Sequence, residues 1–384
     1  METEELLGII ANGEDSKHQF KATINNANSL ASEMAAFSNS KGGHILIGVN
    51  DDGTITGLSD DQLRSINQDI ANAATNNVKP AINPITQNFT LPGGRVLVLT
   101  VEAGLVKPYM VSDGYIWVKS GSDKRRVTAR EELQRMFQEA ALVHADEIPV
   151  RSSSIADVDD EFFDAFFEQE FGESVEEQGM PRSQLLENMN LAKNGQLNIC
   201  GALLFSSRPQ VRLPVFIVKA VAFPGENIED DQYIDSQDIK GKLTDVFQKA
   251  LGFVLSNIKH LQKEQSFNSV GEPEIPRIVF EELIANALIH RDYFISAPVK
   301  LLVFADRIEI ISPGHLPNNL TIDNIKMGNS NVRNPILASF APKLLPYRGL
   351  GSGIKRAIKA YPYIDFIDDR DSNTFKVIIL RKER

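Results

Sequence analysis

Residues Phe280 to Tyr293 read FEELIANALIHRDY, and the apolar spacing in this stretch predicts a helix from about Arg277 to His290. Glu282 and Asn286 are four residues apart, so they share one face of that helix, and His290 continues the same row. A carboxylate and an amide presented together can orient water and coordinate a hard cation such as Mg²⁺. A solvated polar face ending in a histidine would give the same pattern, so the stretch alone leaves both interpretations open.

Two segments further along the chain add to this pattern. The residues ISPG, 311–314, end a predicted strand in a tight turn. The residues RGLGSGIKR, 348–356, place Gly349, Gly351 and Gly353 directly before a predicted helix. Where side chains are missing, backbone N–H groups can point at a phosphate, and a helix N-terminus favours negative charge. The segment is not a Walker A motif, because no Gly-Lys-Ser/Thr follows, and no clear strand precedes it as a dinucleotide fingerprint requires.

In order and spacing these segments resemble the GHKL ATPase superfamily, the group of gyrase, Hsp90, histidine kinases and MutL. The closer resemblance is to a divergent branch found in ATP-binding bacterial transcriptional regulators. The matching motifs are Glu282 to Asn286, His290-Arg291-Asp292-Tyr293, Pro313-Gly314, Arg333-Asn334-Pro335 and Gly349 to Ile354.

The resemblance implies ATP and Mg²⁺ as cofactors, with Asn286 holding the metal and Glu282 orienting the attacking water as the catalytic residue. It implies a nucleotide site made of Asn286, His290, Arg291, Asp292, Gly314, Arg333, Asn334, Gly349, Gly351 and Gly353. One position departs from the superfamily pattern. Where an adenine-recognising Asp is typical, the chain reads Ser312-Pro313-Gly314, which leaves adenine recognition and ATP turnover open.

The N-terminal third carries a second set of motifs. They are GEDSKHQFK at residues 13–21, AFSNSKGGHILIGVNDDGTITGL at residues 36–58 and YIWVKSGSDKRR at residues 115–126. These segments resemble the Schlafen-type AlbA-like domain, whose members are implicated in binding DNA or RNA and in some cases cleave RNA through three carboxylates. The resemblance implies a nucleic-acid partner, with DNA favoured over RNA.

The three carboxylate positions of that family are only partly kept. Glu14 matches the first, Gln19 stands at the second, and Asp51 or its neighbour Asp52 matches the third. Metal-dependent phosphodiester cleavage needs anionic ligands for a hard divalent cation, and an amide removes one negative charge. The sequence therefore favours a vestigial nuclease-like site over an active one. Asp51-Asp52-Gly53 is equally compatible with a hairpin turn without any function.

A basic cluster near residue 120 is the candidate nucleic-acid-binding surface. It comprises Lys119, Lys124, Arg125 and Arg126, with Lys21 as a possible extension from the first motif. Tyr115 and Trp117 precede it two residues apart, and so on one face of a predicted strand. Basic groups neutralise phosphates and aromatic rings stack on unpaired bases. A solvated strand end above core aromatics would give the same pattern.

Composition narrows the class of protein. The chain has 384 residues with 42% hydrophobic and 24% charged, ordinary values for a globular protein of two or three domains. Lys and Arg total 40 against 51 Asp and Glu, a net charge of −11, so a broad electrostatic surface for nucleic acid is not expected. Cys200 is the single cysteine, which excludes a disulfide framework. No apolar run approaches the roughly 20 residues of a membrane span, and a cytoplasmic location without a membrane partner is expected.

The fold class predicted is α+β, with an AlbA-like N-terminal domain, a middle α/β segment and a C-terminal GHKL-like α/β sandwich. The predicted boundaries are 1–143, a linker at 144–160, 161–270 and 271–384. Among the local predictions, residues 54–57 form a return strand, residues 129–141 a helix, residues 199–206 a buried strand and residues 241–261 a long helix.

The function predicted is a nucleotide-responsive nucleic-acid-binding regulator, homo-oligomeric by family resemblance. Whether it is an enzyme is left open: weak ATPase activity is compatible with the residues, and nuclease activity is disfavoured by Gln19. The alternatives are an ATP-gated Schlafen-like nuclease, as in defence against phage, and an interaction protein with a degenerate nucleotide site.

Overall fold

A computed structural model of the protein describes residues 1–140, 142–229, 232–261, 271–317, 320–349 and 351–382. Its internal contacts divide the chain into two compact units, Met1–Val143 and His144–Arg384. Helices and strands are mixed in both units, which confirms the α+β class. Within the described ranges, no helix combines the length and the apolar character that spanning a bilayer requires.

The first unit is built on a mixed sheet with helices on both faces. Its helices are α1 (Thr3–Asn12), α2 (Ala27–Asn39), α3 (Asp60–Asn72) and α4 (Arg130–Glu139), with a π-helical turn at Ala73–Asn77. Its strands are β1 (His18–Lys21), β2 (Gly43–Ile47), β3 (Val78–Lys79), β4 (Ile85–Leu91), β5 (Gly94–Val101), β6 (Met110–Val111), β7 (Trp117–Ser120) and β8 (Asp123–Arg126).

The main sheet of this unit runs in the order β1-β2-β5-β4, with β1 parallel to β2 and the other pairs antiparallel. Side chains alternate between its faces. Ile45 and Ile47 join a core with α2 and α3, whereas Leu46 joins a separate core with Leu6 of α1. The β7–β8 hairpin packs against α2.

The second unit has one continuous main core. Its helices are α5 (Asp160–Phe171), α6 (Arg182–Asn188), α7 (Ile199–Phe205), α8 (Pro209–Arg212), α9 (Leu243–Ser256), α10 (Arg277–His290), α11 (Ile322–Lys326), α12 (Pro335–Leu344) and α13 (Gly353–Ala360). Its strands are β9 (Ala192–Lys193), β10 (Gln196–Leu197), β11 (Val218–Ala222), β12 (Asp235–Ile239), β13 (His260–Leu261), β14 (Glu272–Pro273), β15 (Val299–Val303), β16 (Arg307–Pro313), β17 (Ile364–Asp369) and β18 (Thr374–Leu380).

The main sheet of the second unit runs in the order β12-β11-β15-β16-β18-β17. Strands β11 and β15 are parallel, and the other neighbours are antiparallel. Val218, Leu301 and Ile310 face the main core together with α9 and α10. Phe223 and Phe304 stack on the opposite face of the sheet. A sheet covered by a layer of helices therefore places α10 against the strands that follow it.

Four local predictions differ from the structure. Residues 199–206 form helix α7 rather than a strand, because Asn198 caps it by accepting a hydrogen bond from the Gly201 N–H (2.8 Å). Residues 54–57 form no return strand beyond a single bridge between Val49 and Ile55. The predicted helix 241–261 is α9 followed by the short strand β13, and α4 ends at Glu139, with Ala141 outside the described ranges.

The segment 144–160 is not a linker in the structure. Ala145, Val150 and Val158 lie in the main core of the second unit. Asp146 is fully buried and accepts a hydrogen bond from the Leu337 N–H at the start of α12 (2.9 Å). The described residues between 161 and 261 likewise share their core and sheet with the described residues after 271 rather than forming a separate segment, because β11 and β15 are adjacent strands.

Candidate functional site

Helix α10 is the element on which the candidate site is built. It is buried on nearly every side, since apolar residues occur all round it and α9, α13 and the sheet pack against it. Glu282 is therefore only 2% exposed despite its charge. One turn later Asn286 lies on the same face, and both residues line a cavity of about 110 Å³.

The cavity is lined by both apolar and polar residues. The apolar side chains come from β16, β17, β18, α11 and the segment after β16, and include Ile310, Leu316, Leu320, Ile325, Phe366, Phe375 and Val377. The polar side chains and glycines come from α10, the residues around 329–331, the glycine turn and α13, and include Glu282, Asn286, His290, Asn329, Ser330, Asn331, Arg348, Gly349, Gly351, Ser352, Gly353 and Arg356. A flat apolar group with an anionic tail matches this mixture of residues.

The glycine turn, residues 349–353, passes so close to its neighbours at Gly351 and Gly353 that a Cβ is excluded there. Gly349 and Gly351 both have a φ of +67°, and a Cβ on Gly351 would overlap the carbonyl oxygen of Gly328. A Cβ on Gly353, the first residue of α13, would overlap the Glu282 carboxylate. Leu350 lies outside the described ranges. The backbone at Gly353 thus approaches α10 beside Glu282 and Asn286.

Glu282 is paired with a cation inside the cavity. Arg356 Nη2 lies 2.6 Å from Glu282 Oε1 and forms an ion pair with it. Burial raises the pKa of the Glu282 carboxyl above its ordinary value, and the Arg356 guanidinium only partly offsets this. A carboxylate in such a place can accept a proton or orient a water more readily than an exposed one.

Asn286 differs from Glu282 in having no partner, since its side chain makes no hydrogen bond to any residue that the structure describes. It lines the cavity beside Gly353. An amide oxygen in this position is a suitable ligand for a hard cation.

His290 lies at the end of α10 and lines the same cavity. Its Nε2 is 3.0 Å from the Tyr347 hydroxyl, which precedes the glycine turn. Burial, helped by the charge of Arg333, lowers the pKa of His290 to about 4. The imidazole is therefore neutral at pH 7 and joins α10 to the start of the turn.

Four residues predicted to bind nucleotide lie outside the cavity lining and instead support the segment that follows α10. Asn334 Nδ2 donates to the carbonyls of Ile289 (2.8 Å) and Arg291 (2.9 Å), which caps the end of the helix. The Arg291 guanidinium donates to two backbone carbonyls and stacks against Phe216 and Tyr293.

The other two members of this group, Asp292 and Arg333, hold the loop at Gly314. Asp292 Oδ1 accepts from the Phe294 N–H (2.9 Å), and Arg333 Nη2 donates to the His315 carbonyl (2.7 Å). Gly314, with a φ of +96°, does line the cavity, and a Cβ there would overlap Arg333 and Asp292. Close packing with these two side chains accounts for the glycine.

In the first unit, Glu14 and Gln19 come together but Asp51 does not join them. Gln19 Nε2 donates to Glu14 Oε1 (2.5 Å), and Gln19 Oε1 accepts from Lys119 Nζ (2.8 Å). Asp51 is exposed in a turn after β2. Over the described ranges, no group of three or more His, Cys, Asp or Glu side chains is placed to hold a metal. The side-chain amide of Gln19 thus bridges the side chains of Glu14 and Lys119.

The predicted basic cluster is largely paired within the protein. Lys124 Nζ contacts Glu33 Oε1 (2.8 Å) and Ser32 Oγ (2.7 Å), and Arg125 forms a bidentate pair with Glu132 (2.7 and 2.9 Å). Burial lowers the pKa of Lys119, which also lies over the Phe37 ring. These three cations therefore have partners other than a phosphate.

Arg126 has a different environment. Its guanidinium lies 3.9 Å from the Tyr115 ring centroid and 5.0 Å from that of Trp117. Tyr115 is 44% exposed. We call Tyr115, Trp117 and Arg126 the aromatic–arginine surface. Lys21 ends β1 two residues after Gln19, on the same face of that strand.

Two segments of the chain match known families. Residues 14–128 match the family described as Schlafen, AlbA_2. Residues 296–378 match the family described as "Putative ATP-dependent DNA helicase recG C-terminal". The AlbA_2 match runs from Glu14 past Arg126. The recG C-terminal match begins after α10, so it includes the glycine turn but neither Glu282 nor Asn286.

Two solved structures are similar to the chain. The DIP2311 protein of Corynebacterium diphtheriae is 21% identical, over 99% of this chain and 80% of that one, with a TM-score of 0.47. The N-terminal domain of a RecG-related protein of Nitrosomonas europaea is 23% identical, over 33% of this chain and 93% of that one, with a TM-score of 0.24. A comparison with curated proteins finds no match.

Sequence reasoning missed several residues at the cavity of the recG C-terminal segment. Arg356 follows Gly353 by three residues, so helical spacing after the glycine turn was a signal for it. Tyr347 precedes the turn, and only the fold brings it to His290. Phe366 lies on β17, a strand that the sequence analysis did not predict.

Proposed function

We propose that this protein is a nucleotide-responsive regulator that binds nucleic acid through its AlbA_2 segment and ATP through a GHKL-like site in its second unit. The observation that carries the proposal is the cavity in which Asn286, a buried Glu282 and the glycine turn converge. Two family matches support the proposal. The Schlafen AlbA_2 match supports nucleic-acid binding, and the match to the recG C-terminal family of putative ATP-dependent DNA helicases supports ATP binding.

The described residues suit a nucleotide. The backbone at Gly351 and Gly353 packs too closely on its neighbours for a Cβ, and it leads into the N-terminus of α13, where backbone N–H groups can approach phosphates. The Asn286 oxygen would be the protein ligand of Mg²⁺, the apolar side chains of the cavity lining would contact the base, and Glu282 would orient water. Bound ATP with Mg²⁺ would supply a phosphoanhydride whose charge the metal neutralises.

The identity of the base is less strongly supported than the presence of a phosphate chain. Among the described residues, no aspartate lines the cavity, and the Ser312 hydroxyl donates a hydrogen bond to the Ala287 carbonyl oxygen (3.2 Å). We propose ATP from the resemblance to the GHKL superfamily, and a GTP arm in the experiment tests that choice.

For nucleic acid, the aromatic–arginine surface is the favoured contact. An arginine held over two aromatic rings offers both a cation and stacking faces. The proposal favours DNA over RNA from the resemblance to the Schlafen-type AlbA-like domain. It includes bacterial transcriptional regulation and assembly into homo-oligomers from the resemblance to ATP-binding regulators, and a cytoplasmic location from the composition.

The proposal is tested by titrating the protein into labelled duplex DNA, single-stranded DNA and structured RNA with Mg²⁺, with and without ATP or GTP. We expect an ATP-dependent shift on native gels with intact strands on denaturing gels. Asn286→Ala should remove the response to ATP and keep the ATP-independent binding. Asn67→Ala, on the exposed face of α3, is the matched control and should behave as the parent protein.

Other outcomes would contradict the proposal. Binding that is identical with and without nucleotide, in both the parent protein and Asn286→Ala, would leave an interaction protein with a degenerate site. Shortened strands would indicate a nuclease, and Gln19→Glu should then raise the cleavage rate. Binding that stays flat between about 50 and 200 mM salt would exclude phosphate contacts as its source.

A further inference from the structure

The pair formed by Arg356 and Glu282 joins the two halves of the candidate nucleotide site. Glu282 projects from α10, and Arg356 lies in the first turn of α13, directly after the glycine turn. Their contact is short at 2.6 Å, and the carboxylate is almost completely removed from solvent. A charge-assisted bond of this kind fixes the position of both side chains.

The Glu282 carboxylate takes the place at which an anionic ligand would approach the glycine turn. It lies so near Gly353 that a Cβ there would overlap it. Ser352, the residue before α13, makes no capping hydrogen bond to the described residues through its side chain. The positive end of α13 is therefore faced by the carboxylate of another helix.

Arg356 has donor capacity that this pair does not use. Its Nε is buried and has no hydrogen-bond partner within the described ranges. A guanidinium carries five N–H donors in a planar fork and matches phosphate as well as carboxylate. The same side chain can therefore exchange one oxyanion for another with little movement.

We propose that Arg356 is a positioning residue that holds Glu282 while the cavity lacks an anion and transfers to the terminal phosphate of a bound nucleotide. Glu282 is then left without its cation and free to accept a hydrogen bond from water. This inference rests on the proposed function of the cavity. It adds that Arg356 makes Glu282 available only when a phosphate chain is bound.

The exchange predicts an energetic coupling between the two residues. In the parent protein an incoming phosphate competes with Glu282 for Arg356. Glu282→Gln removes that competition, so nucleotide affinity rises as long as Arg356 is present. In a protein without Arg356, Glu282 has no guanidinium to give up to the phosphate, so Glu282→Gln has little effect on nucleotide affinity.

The test measures dissociation constants for Mg-ATP, Mg-ADP and adenosine by calorimetry on the full chain. We expect Glu282→Gln to tighten Mg-ATP by about tenfold, and Arg356→Ala to weaken it by about tenfold. In Arg356→Ala, adding Glu282→Gln should change the Mg-ATP affinity by less than about twofold. Arg356→Lys should recover part of the lost affinity, because it restores a cation without the fork.

Two controls separate this exchange from other effects. Adenosine has no phosphate, so its affinity should be the same in every variant, which also shows that each variant is folded. Lys355→Ala removes the neighbouring exposed cation of α13 and should leave the tenfold effect of Glu282→Gln intact.

Three results would overturn the inference. Glu282→Gln could leave Mg-ATP affinity unchanged, which would make the pair purely structural. It could tighten Mg-ATP equally with and without Arg356, which would indicate simple charge repulsion. If the parent protein binds neither adenosine nor nucleotide, the proposed function itself fails, and the exchange fails with it.

Discussion

At the scale of single residues, Gly353 is the glycine at which an added side chain would reach the Glu282 carboxylate. Gly353→Ala should weaken Mg-ATP binding by at least about tenfold and lower the free energy of unfolding by about 1–3 kcal/mol, because the new Cβ would overlap the Glu282 carboxylate. Calorimetry and urea unfolding measure the two effects.

Gly252→Ala is the matched control for this substitution. Gly252 is exposed on α9 with nothing within 4 Å of a Cβ, so alanine there should stabilise the protein by about 0.5–1 kcal/mol. Equal behaviour of the two variants would show that the space at Gly353 is not needed.

Asp146 is the residue for which pH dependence is most directly expected. Its Oδ1 is buried with no partner among the described residues, and burial raises the pKa of its carboxyl from 3.8 to about 6. Because the folded pKa is above the unfolded one, its contribution to stability is fully present below pH 3.8 and is lost as the pH rises through 6.

Asp146→Asn removes that titration. The free energy of unfolding of the parent protein, measured relative to the variant in urea, should fall by about 2 kcal/mol between pH 4 and pH 7. His290 has the opposite sign, since a folded pKa of about 4 stabilises the protein above pH 6.5, but it is common to both proteins and cancels in the difference. A difference that does not change with pH would contradict the assignment.

At the scale of elements, the β7–β8 hairpin carries two cations for which different roles are expected: Lys124 stabilises the fold, and Arg126 binds nucleic acid. Lys124→Ala should lower the free energy of unfolding by about 3 kcal/mol, because it leaves the buried carboxylate of Glu33 without its cation. Arg126→Ala, on the same strand, should weaken nucleic-acid binding severalfold with little loss of stability. Thermal unfolding and binding titrations distinguish the two, and a reversed ranking would refute this division.

Two elements show why local patterns succeed in some places and fail in others. The predicted helix at Arg277–His290 is confirmed at both ends, and its 14 residues exceed the usual length of a strand. Residues 199–206 form a helix although a strand was predicted, because every position of α7 is buried and a short apolar run has no polar face to reveal its period. Asn198 was the available signal, as a typical N-cap residue before the run.

At the scale of the whole molecule, the two units have cores of their own. The clusters around Leu30, Leu6 and Ile116 consist of residues up to 143, and those around Phe205 and Phe223 consist of residues after it.

Residues 1–143 produced alone should therefore unfold cooperatively and bind nucleic acid without a response to ATP. Residues 144–384 alone should bind nucleotide. Circular dichroism checks the folding, and a fragment 1–143 without a cooperative transition would contradict this expectation.

The sequence by itself determined what depends on neighbours along the chain. Helical periodicity placed Glu282 and Asn286 on one face, and the glycines before α13 marked the turn that approaches them, because backbone geometry repeats over a few residues. The predicted strand that ends at residues 311–314 is confirmed as β16, which pairs antiparallel with β15.

Only the tertiary structure decided which distant side chains meet. Arg356 pairs with Glu282, Gln19 bridges Glu14 and Lys119, and Lys124 neutralises Glu33 across 91 positions of sequence. The physical reason is that such partners are chosen by how elements pack, and the energy of a buried charge depends on what surrounds it. The basic cluster predicted from the sequence therefore includes cations that pair with other side chains in the folded protein.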